Sequence, residues 1–195
     1  MIVGYHIIFG MYGFWLPNDP RGSWSDFVGS WELYRFGPAT KTTETRSVAS
    51  EPHDHTQRLA AKAALVRPAV RLNGLQARAV GRGFATYVQK SGLPVWACAI
   101  LPNHVHLVVG QAGMKVEQLV IQLKGSATEQ LIEEGIHPFQ NQRDGQNRPH
   151  KCFARGEWKV YLDPEDVPRA IQYVEQNPEK ERLPRQKWDF VSPLY

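Results

Sequence analysis

The sequence Val95-Trp-Ala-Cys-Ala-Ile-Leu-Pro-Asn-His-Val-His-Leu-Val-Val109 consists of two apolar runs joined by Pro102-Asn103. Apolar runs of this length, bounded by turn residues, are typical of buried strands, and the short connection predicts that they pair as a hairpin. Because side chains alternate across a strand, His104 and His106 share one face, while the apolar residues between and after them share the other. The hairpin therefore presents two imidazoles on one side of a sheet.

Two further strands and two helices are predicted on either side of this hairpin. Residues 3–9 and 153–162 have the apolar character of strands, and apolar residues recur at helical spacing over 72–88 and 116–131. The order of elements becomes β-α-β-β-α-β. We therefore expect an α+β fold.

A last helix is predicted to begin at Asp163-Pro164, because aspartate caps helix N-termini and proline suits the first turn. Pro178 pushes the residue before it away from helical angles, so the helix is expected to end at about Asn177. Tyr173 and Asn177 are four residues apart and lie on the same face, one turn from each other. The helix thus presents a phenol and an amide together.

Size and composition indicate one domain. The 195 residues, 42% of them hydrophobic, suffice for one core and are too few for two ordinary domains, so residues 1–195 are taken as a single domain. No run approaches the roughly 18 apolar residues of a membrane helix, and the start does not resemble a leader, so we expect a cytoplasmic protein without a membrane partner. Residues from about 30 to 67 are predicted to be a loop-rich insertion.

Charge and cysteine content exclude little and add no site of their own. Lys and Arg outnumber Asp and Glu by 23 to 19, which allows a polyanionic partner without requiring one. Cys98 and Cys152 lie far apart, and neither a disulfide framework nor a cysteine zinc site is indicated, so both are expected to be reduced thiols. His53-Asp-His55 is a second H-x-H, but its polar context and lack of a partner tyrosine indicate solvated histidines.

Each candidate residue also has an ordinary structural interpretation. Paired strand histidines occur without a metal, Tyr173 fits a core aromatic, and Asn177 fits a helix cap. Together they offer two imidazoles and an amide oxygen to one divalent ion, with positions open for a phosphate oxygen and water, and a phenol as nucleophile. The joint occurrence favours a catalytic site of His104, His106, Tyr173 and Asn177.

Two motifs carry a resemblance to a known family. Leu101-Pro-Asn-His-Val-His-Leu-Val-Val109, with Ile171-Gln-Tyr-Val-Glu-Gln-Asn-Pro178, closely resembles the single-tyrosine HUH transposases, whose name denotes histidine, bulky hydrophobic residue, histidine. The Tyr-x-x-x-Asn-Pro pattern is similar to the branch of REP-associated tyrosine transposases. The likeness extends to the Tyr5-His6 strand, the Trp15-Leu-Pro-Asn-Asp-Pro20 loop and Trp158.

The resemblance implies a ferredoxin-like or RRM-like antiparallel sheet, with helices covering one face, the histidines on a central strand, and an additional C-terminal helix that carries the tyrosine. It implies that His104, His106 and Asn177 bind Mg²⁺ or Mn²⁺ and that Tyr173 is the nucleophile. Insertion-sequence members often have glutamine where this chain has Asn177. The implied reaction cuts and rejoins single-stranded DNA through a 5′-phosphotyrosine, without a nucleotide triphosphate.

Single-stranded DNA, often with a hairpin, is the partner that the resemblance implies, and such a ligand suits a basic track with aromatic platforms. The basic residues predicted to contact it are Lys124, Arg155, Lys159, Arg169, Arg185 and Lys187. A homodimer is an open alternative to a monomer, and Tyr173 could serve its own protomer or a partner.

Two other functions fit the same residues. A related HUH replication initiator or plasmid relaxase would share the metal and tyrosine chemistry, but such enzymes usually have a longer domain and often a helicase or a second tyrosine. A non-catalytic RRM-like nucleic-acid binder would use the histidines and the tyrosine for packing or stacking. The sequence ranks the transposase first.

Overall fold

The fold is a four-stranded sheet with helices on both faces. The computed structural model describes residues 1–14, 16, 17, 19, 28, 31–38 and 52–194. The strands are β1 (Gly4–Gly10), β2 (Val95–Ile100), β3 (His104–Gly110) and β4 (Trp158–Leu162), and the helices are α1 (Trp31–Tyr34), α2 (His55–Ala63), α3 (Gly74–Ser91), α4 (Val116–Glu133) and α5 (Val167–Lys180). The described strands pair antiparallel in the order β2-β3-β1-β4. The predicted α+β class and antiparallel sheet are confirmed.

The predicted fourth strand is shorter than the sequence indicates. Residues 153–162 are predicted as strand, but β4 begins only at Trp158. Before it, Phe153 forms a single bridge to Met11, just beyond the end of β1. The apolar character of residue 153 therefore reflects burial in the core and not membership of the strand.

Both ends of α5 differ from the prediction. Asp163 does not cap the helix, because residues 163–166 form a turn in which the Asp166 N–H donates to the Asp163 carbonyl at 2.9 Å. At the other end the helix runs through Pro178 to Lys180. A proline so late in a helix removes one backbone hydrogen bond, and its carbonyl accepts from the Leu183 N–H at 2.8 Å. The prediction that the helix stops before Pro178 is wrong.

The main core lies between the sheet and the pair α3 and α4. Ile7 and Phe9 of β1 point into it together with the odd-numbered residues of β3, and Cys98 and Cys152 are free thiols buried there. The two helices approach closely at Gly83, where a Cβ atom would lie 2.6 Å from the α4 backbone. The predicted reduced cysteines are confirmed.

The opposite face of the sheet carries the histidines and is covered by α5. Ala97 and Ala99 present small side chains on this face of β2, so α5 lies close to the strand and packs Ala170 and Val174 against it. The expectation that helices cover one face of the sheet holds for α3 and α4 only. The tyrosine helix lies on the other face.

The segment predicted as a loop-rich insertion, residues 30–67, contains two short helices. Asp54 caps α2 by accepting from the Gln57 N–H at 2.9 Å. Residues of α1 and α2 bury a small apolar cluster made by Leu16, Leu33, Phe36 and Ala61. Residues 39–51, and parts of the 15–20 loop, lie outside the described residues. No helix in the described part of the chain has the length and apolarity to cross a bilayer.

The C-terminal segment runs along the edge strand β2. Gln186 pairs with Ile100 through both groups of its side-chain amide: Oε1 accepts from the Ile100 N–H, and Nε2 donates to the Ile100 carbonyl, each at 2.8 Å. Farther on, the Ser192 N–H donates to the Val95 carbonyl at 2.8 Å. The tail thereby satisfies backbone groups at both ends of β2.

Candidate active site

β3 presents His104 and His106 on the face that α5 covers, as strand alternation predicts. Their ring centroids are 4.8 Å apart. His106 is 4% exposed and lies in register between Ile8 of β1 and Ala99 of β2. His104 begins the strand and is half-buried. The strand therefore holds the two imidazoles side by side, one of them deep and one near the surface.

The ring of His104 is oriented by the residue before it. Its Nδ1 lies 2.7 Å from Oδ1 of Asn103, a buried turn residue. An amide oxygen only accepts hydrogen bonds, so Nδ1 carries the proton and the neutral ring has its lone pair on Nε2. That nitrogen is the one suited to a metal ion.

A third imidazole, His6 of β1, joins the two histidines of β3. Its Nε2 lies 3.0 Å from Nδ1 of His106, and the two rings stack with an interplanar angle of 26°. The sequence analysis found the strand that contains His6 but assigned it no role. The alternation of β1 places His6 opposite the core residues Ile7 and Phe9, but its contact with His106 depends on strand register, which the sequence does not reveal.

Burial keeps the two inner imidazoles uncharged near neutral pH. Desolvation lowers the pKa of His6 from 6.5 to about 4. Desolvation also lowers the pKa of His106 well below its ordinary value, and repulsion from His104, His6 and Lys180 adds to the effect. A neutral imidazole has a lone pair to offer a metal ion, whereas a protonated one has none.

α5 brings Tyr173 against this histidine cluster. Its ring centroid lies 5.8 Å from those of His6 and His106, and the residue is 40% exposed. Burial raises the pKa of the phenol, and the neighbouring amide of Asn177 partly offsets that rise. Lys180 places its Nζ 4.4 Å from the ring centre. Lys180 was not among the predicted site residues, because the helix was expected to end at Asn177, three residues earlier.

Asn177 lies one turn beyond Tyr173 and is 7% exposed. Its Nδ2 is buried and makes no hydrogen bond of normal geometry to any described residue, although the amide lies close enough to the Tyr173 phenol to lower the pKa of that group. Burying such a donor costs about 1–3 kcal/mol, so the poorly satisfied N–H group indicates a missing acceptor, whereas a metal ion would bind Oδ1 at the other end of the amide. The two imidazoles of β3 and the oxygen of this amide form a nitrogen and oxygen donor set that suits a divalent cation with open positions.

The described part of the chain contains no metal site made entirely of histidine, cysteine and carboxylate side chains. Within the described ranges, no group of three or more histidine, cysteine, aspartate or glutamate side chains is arranged to hold a metal ion. An ion at His104 and His106 would therefore complete its shell with the amide of Asn177, with water and with oxygen atoms of a substrate. That composition is typical of catalytic sites and not of structural ones.

Two of the residues predicted to contact DNA lie on the face of the sheet opposite the histidines. Lys124 extends over the ring of Phe9 at 4.9 Å and donates to two backbone carbonyls of the loop before β4. Lys159 is the register partner of Ile7 and forms an ion pair with Glu117. Both lysines therefore lie on the α3 and α4 side. The sequence could not reveal this, because proximity to the site depends on which face each side chain takes.

The other four basic residues are exposed. Arg155 lies near His104 along the chain path: the N–H of Ala154, the residue before it, donates to the carbonyl of Gly10. Gly10 is the last residue of β1 and the register partner of His104. Arg169, on α5, pairs with the carboxylate three residues before it at 2.6 Å. Arg185 pairs with the carboxylate six residues before it at 2.8 Å, and Lys187 lies in the C-terminal segment.

Comparison with known proteins gives two distant structural likenesses. No family model and no curated protein sequence matches the chain. Among solved structures, the chain is similar to a REP-associated tyrosine transposase bound to a REP hairpin, with a TM-score of 0.47 and 10% identity over 92% of this chain and 68% of that one. It is also similar to a candidate transposase of Deinococcus radiodurans R1, with a TM-score of 0.37 and 14% identity over 90% of this chain and 91% of that one.

The first of these structures belongs to the branch that the two motifs resemble. Both likenesses concern the course of the chain and are too distant to carry an argument about chemistry.

Proposed function

We propose that this chain is a metal-dependent transposase that cuts and rejoins single-stranded DNA through a 5′-phosphotyrosine on Tyr173. The observation that carries the proposal is the position of the Tyr173 ring, 5.8 Å from His106, beside an amide whose hydrogen bonds are incomplete. The likeness of the two motifs to the HUH transposases supports it. The sheet would then be a ferredoxin-like, or RRM-like, arrangement to which the tyrosine helix has been added.

In this proposal His104, His106 and Asn177 hold Mg²⁺ or Mn²⁺, and the nitrogen ligands tilt the affinity towards Mn²⁺. When bound, such an ion polarises a non-bridging oxygen of the DNA phosphate and offsets the charge that develops there. His104 is half-buried, so its end of the site reaches the protein surface. Lys180, exposed beside Tyr173, adds a positive charge where the phosphate approaches.

The bond changes follow from the chemistry of a phenol and a phosphodiester. The Tyr173 oxygen forms a bond to phosphorus, the bond from phosphorus to the 3′ oxygen breaks, and the phenol proton is lost as the 3′ oxygen gains one. The products are a 5′-phosphotyrosine and a free 3′-hydroxyl. Because one diester replaces another, attack by a 3′-hydroxyl reverses the step and joins strands without an added energy source.

The test is the covalent adduct itself. Single-stranded hairpin oligonucleotides labelled at the 3′ end are incubated with the protein and Mn²⁺ and run on a denaturing gel. Since the tyrosine keeps the 5′ phosphate of the downstream fragment, a 3′ label is expected to migrate with the protein until protease is added. Tyr173→Phe and His104→Ala should abolish this band, whereas Tyr161→Phe, an exposed tyrosine on β4 outside the histidine cluster, should retain it.

Other outcomes separate the alternative functions. A band that persists in Tyr173→Phe would refute the assignment of the nucleophile. Tight binding with no adduct across a broad oligonucleotide pool would favour the non-catalytic, RRM-like nucleic-acid binder. An adduct that forms only on nicked or supercoiled duplex origins, and not on single-stranded hairpins, would favour a replication initiator or relaxase.

A further inference from the structure

We propose that His6 is a positioning residue for this metal site: its Nε2 accepts the Nδ1 proton of His106 and so directs the Nε2 lone pair of His106 towards the ion. The inference rests on the proposed function, because it assigns His106 as a ligand. It adds a residue from a different strand, which neither motif contains.

One proton lies between the two rings, and its position decides which nitrogen of His106 can bind a metal. A 3.0 Å contact between His6 Nε2 and His106 Nδ1 is a hydrogen bond with one proton. If His6 donates it, neutral His106 carries its own proton on Nε2, and its Nδ1 is already occupied by His6. His106 then has no nitrogen for a metal. Only the arrangement in which His106 donates leaves its Nε2 lone pair available.

The fold holds His6 where this contact requires it. In the pairing of β1 with β3, His6 is opposite Val108 and therefore diagonal to His106 on the same face. The ring is buried, and it packs edge to face against Trp158 at 5.7 Å. The backbone hydrogen bonds of the sheet and this packing fix the spacing between the two imidazoles.

The second histidine of β3 is oriented in the same way by a different element. His104 Nδ1 is bonded to Asn103 Oδ1 at 2.7 Å, so each imidazole of the pair has its Nδ1 engaged by a buried neighbour. Imidazoles that bind metals commonly donate their other N–H to such an acceptor, and loss of the acceptor typically costs about 10–100-fold in metal affinity. A chance pair of strand histidines gives no reason for both rings to be held at Nδ1.

The decisive experiment measures Mn²⁺ affinity from the electron paramagnetic resonance signal of the free ion. His6→Leu removes the acceptor, whereas His6→Gln keeps an amide near the position of Nε2. We expect about 10–100-fold weaker binding in His6→Leu and near wild-type binding in His6→Gln. Val160→Ala, at the register partner of His6 on β4, is the packing control: it should lower the melting temperature but leave the affinity unchanged.

A second readout locates the proton directly. Long-range ¹H–¹⁵N spectra of the Zn²⁺-loaded protein should show His106 protonated at Nδ1 and metal-bound at Nε2. A metal on Nδ1, or wild-type Mn²⁺ affinity in His6→Leu, would overturn the role of His6. An equal loss of affinity in Val160→Ala would assign the effect to packing and overturn it as well. If wild-type binding is absent, or is unchanged by His104→Ala, the metal site itself fails and the role of His6 fails with it.

Discussion

Replacing Asn177 by leucine is expected to stabilise the protein while abolishing its reaction with DNA. The residue is 7% exposed, and its Nδ2 has no partner among the described residues. Relieving an unsatisfied buried polar group gains about 1–3 kcal/mol. Leucine shares the branching of asparagine at Cγ but is larger, and such overpacking costs about 1–3 kcal/mol where neighbours cannot adjust. The site opens to solvent beside Tyr173, so we expect a net gain of about 1 kcal/mol.

For a chain of this length, a gain of 1 kcal/mol raises the melting temperature by roughly 2–4 °C. Calorimetry in EDTA measures this shift without any contribution from bound metal, and the adduct gel measures the reaction. The matched control is Gln172→Leu, which makes the same kind of change at an exposed position of α5. Its effect on stability should stay within about 0.5 kcal/mol.

A fall in melting temperature for Asn177→Leu in EDTA would refute this reasoning, because it would mean that the fold itself satisfies the amide. Undiminished adduct formation by the same variant would remove Asn177 from the ligand set. Higher stability combined with a lost reaction is typical of a residue that is needed for function although it destabilises the fold.

Three further predictions concern packing, pH and DNA contacts. Gly83→Ala puts a Cβ 2.6 Å from the α4 backbone and should destabilise the protein by about 1–3 kcal/mol. Gly125→Ala meets nothing within 4 Å and should stabilise it by about 0.5–1 kcal/mol. Melting-temperature shifts of the same sign in the two variants would contradict this. Stability in EDTA should fall as the pH falls from 6.5 towards 4, because the His6 pKa is about 4 in the fold and the unfolded chain takes up the proton first; a urea midpoint that stays constant over this range would be inconsistent. Arg155→Ala should weaken single-stranded DNA binding and reduce its salt slope by about 0.7, while Lys159→Ala should change neither; equal losses would place the DNA elsewhere.

Hydrophobic periodicity was sufficient to predict the elements that are long enough to repeat the pattern several times. The β2–β3 hairpin and the 18-residue helices α3 and α4 agree with the sequence prediction to within a few residues. α1 has four residues and α2 has nine, which is too short for a helical period to stand out from a polar background. Both ends of α5 were predicted at the wrong residues. Residues that favour the first turn of a helix also favour isolated turns, and this helix tolerates a proline in its last turn.

The candidate site contains some residues that local spacing predicts and others that only the tertiary structure reveals. His104, His106, Tyr173 and Asn177 follow from local spacing, within one strand or one helix, and the structure places them on one face of the sheet. Their roles as ligands and nucleophile stay predictions. His6 could not be found in this way, because its contact with His106 spans 100 residues and depends on the register of two strands. The position of Lys124 and Lys159 on the face opposite the histidines depends on the same long-range arrangement.

The pairing of Gln186 with Ile100 also bears on how the protein behaves in concentrated solution. The edge of a sheet displays outward-pointing amide and carbonyl groups to which a strand of another molecule can add, and repeated addition leads to aggregates. A glutamine amide offers one donor and one acceptor, as a peptide group does, but it brings no further strand with it. At that position the backbone groups of β2 are already bonded to a side chain, so a strand of another molecule could pair there only by displacing Gln186.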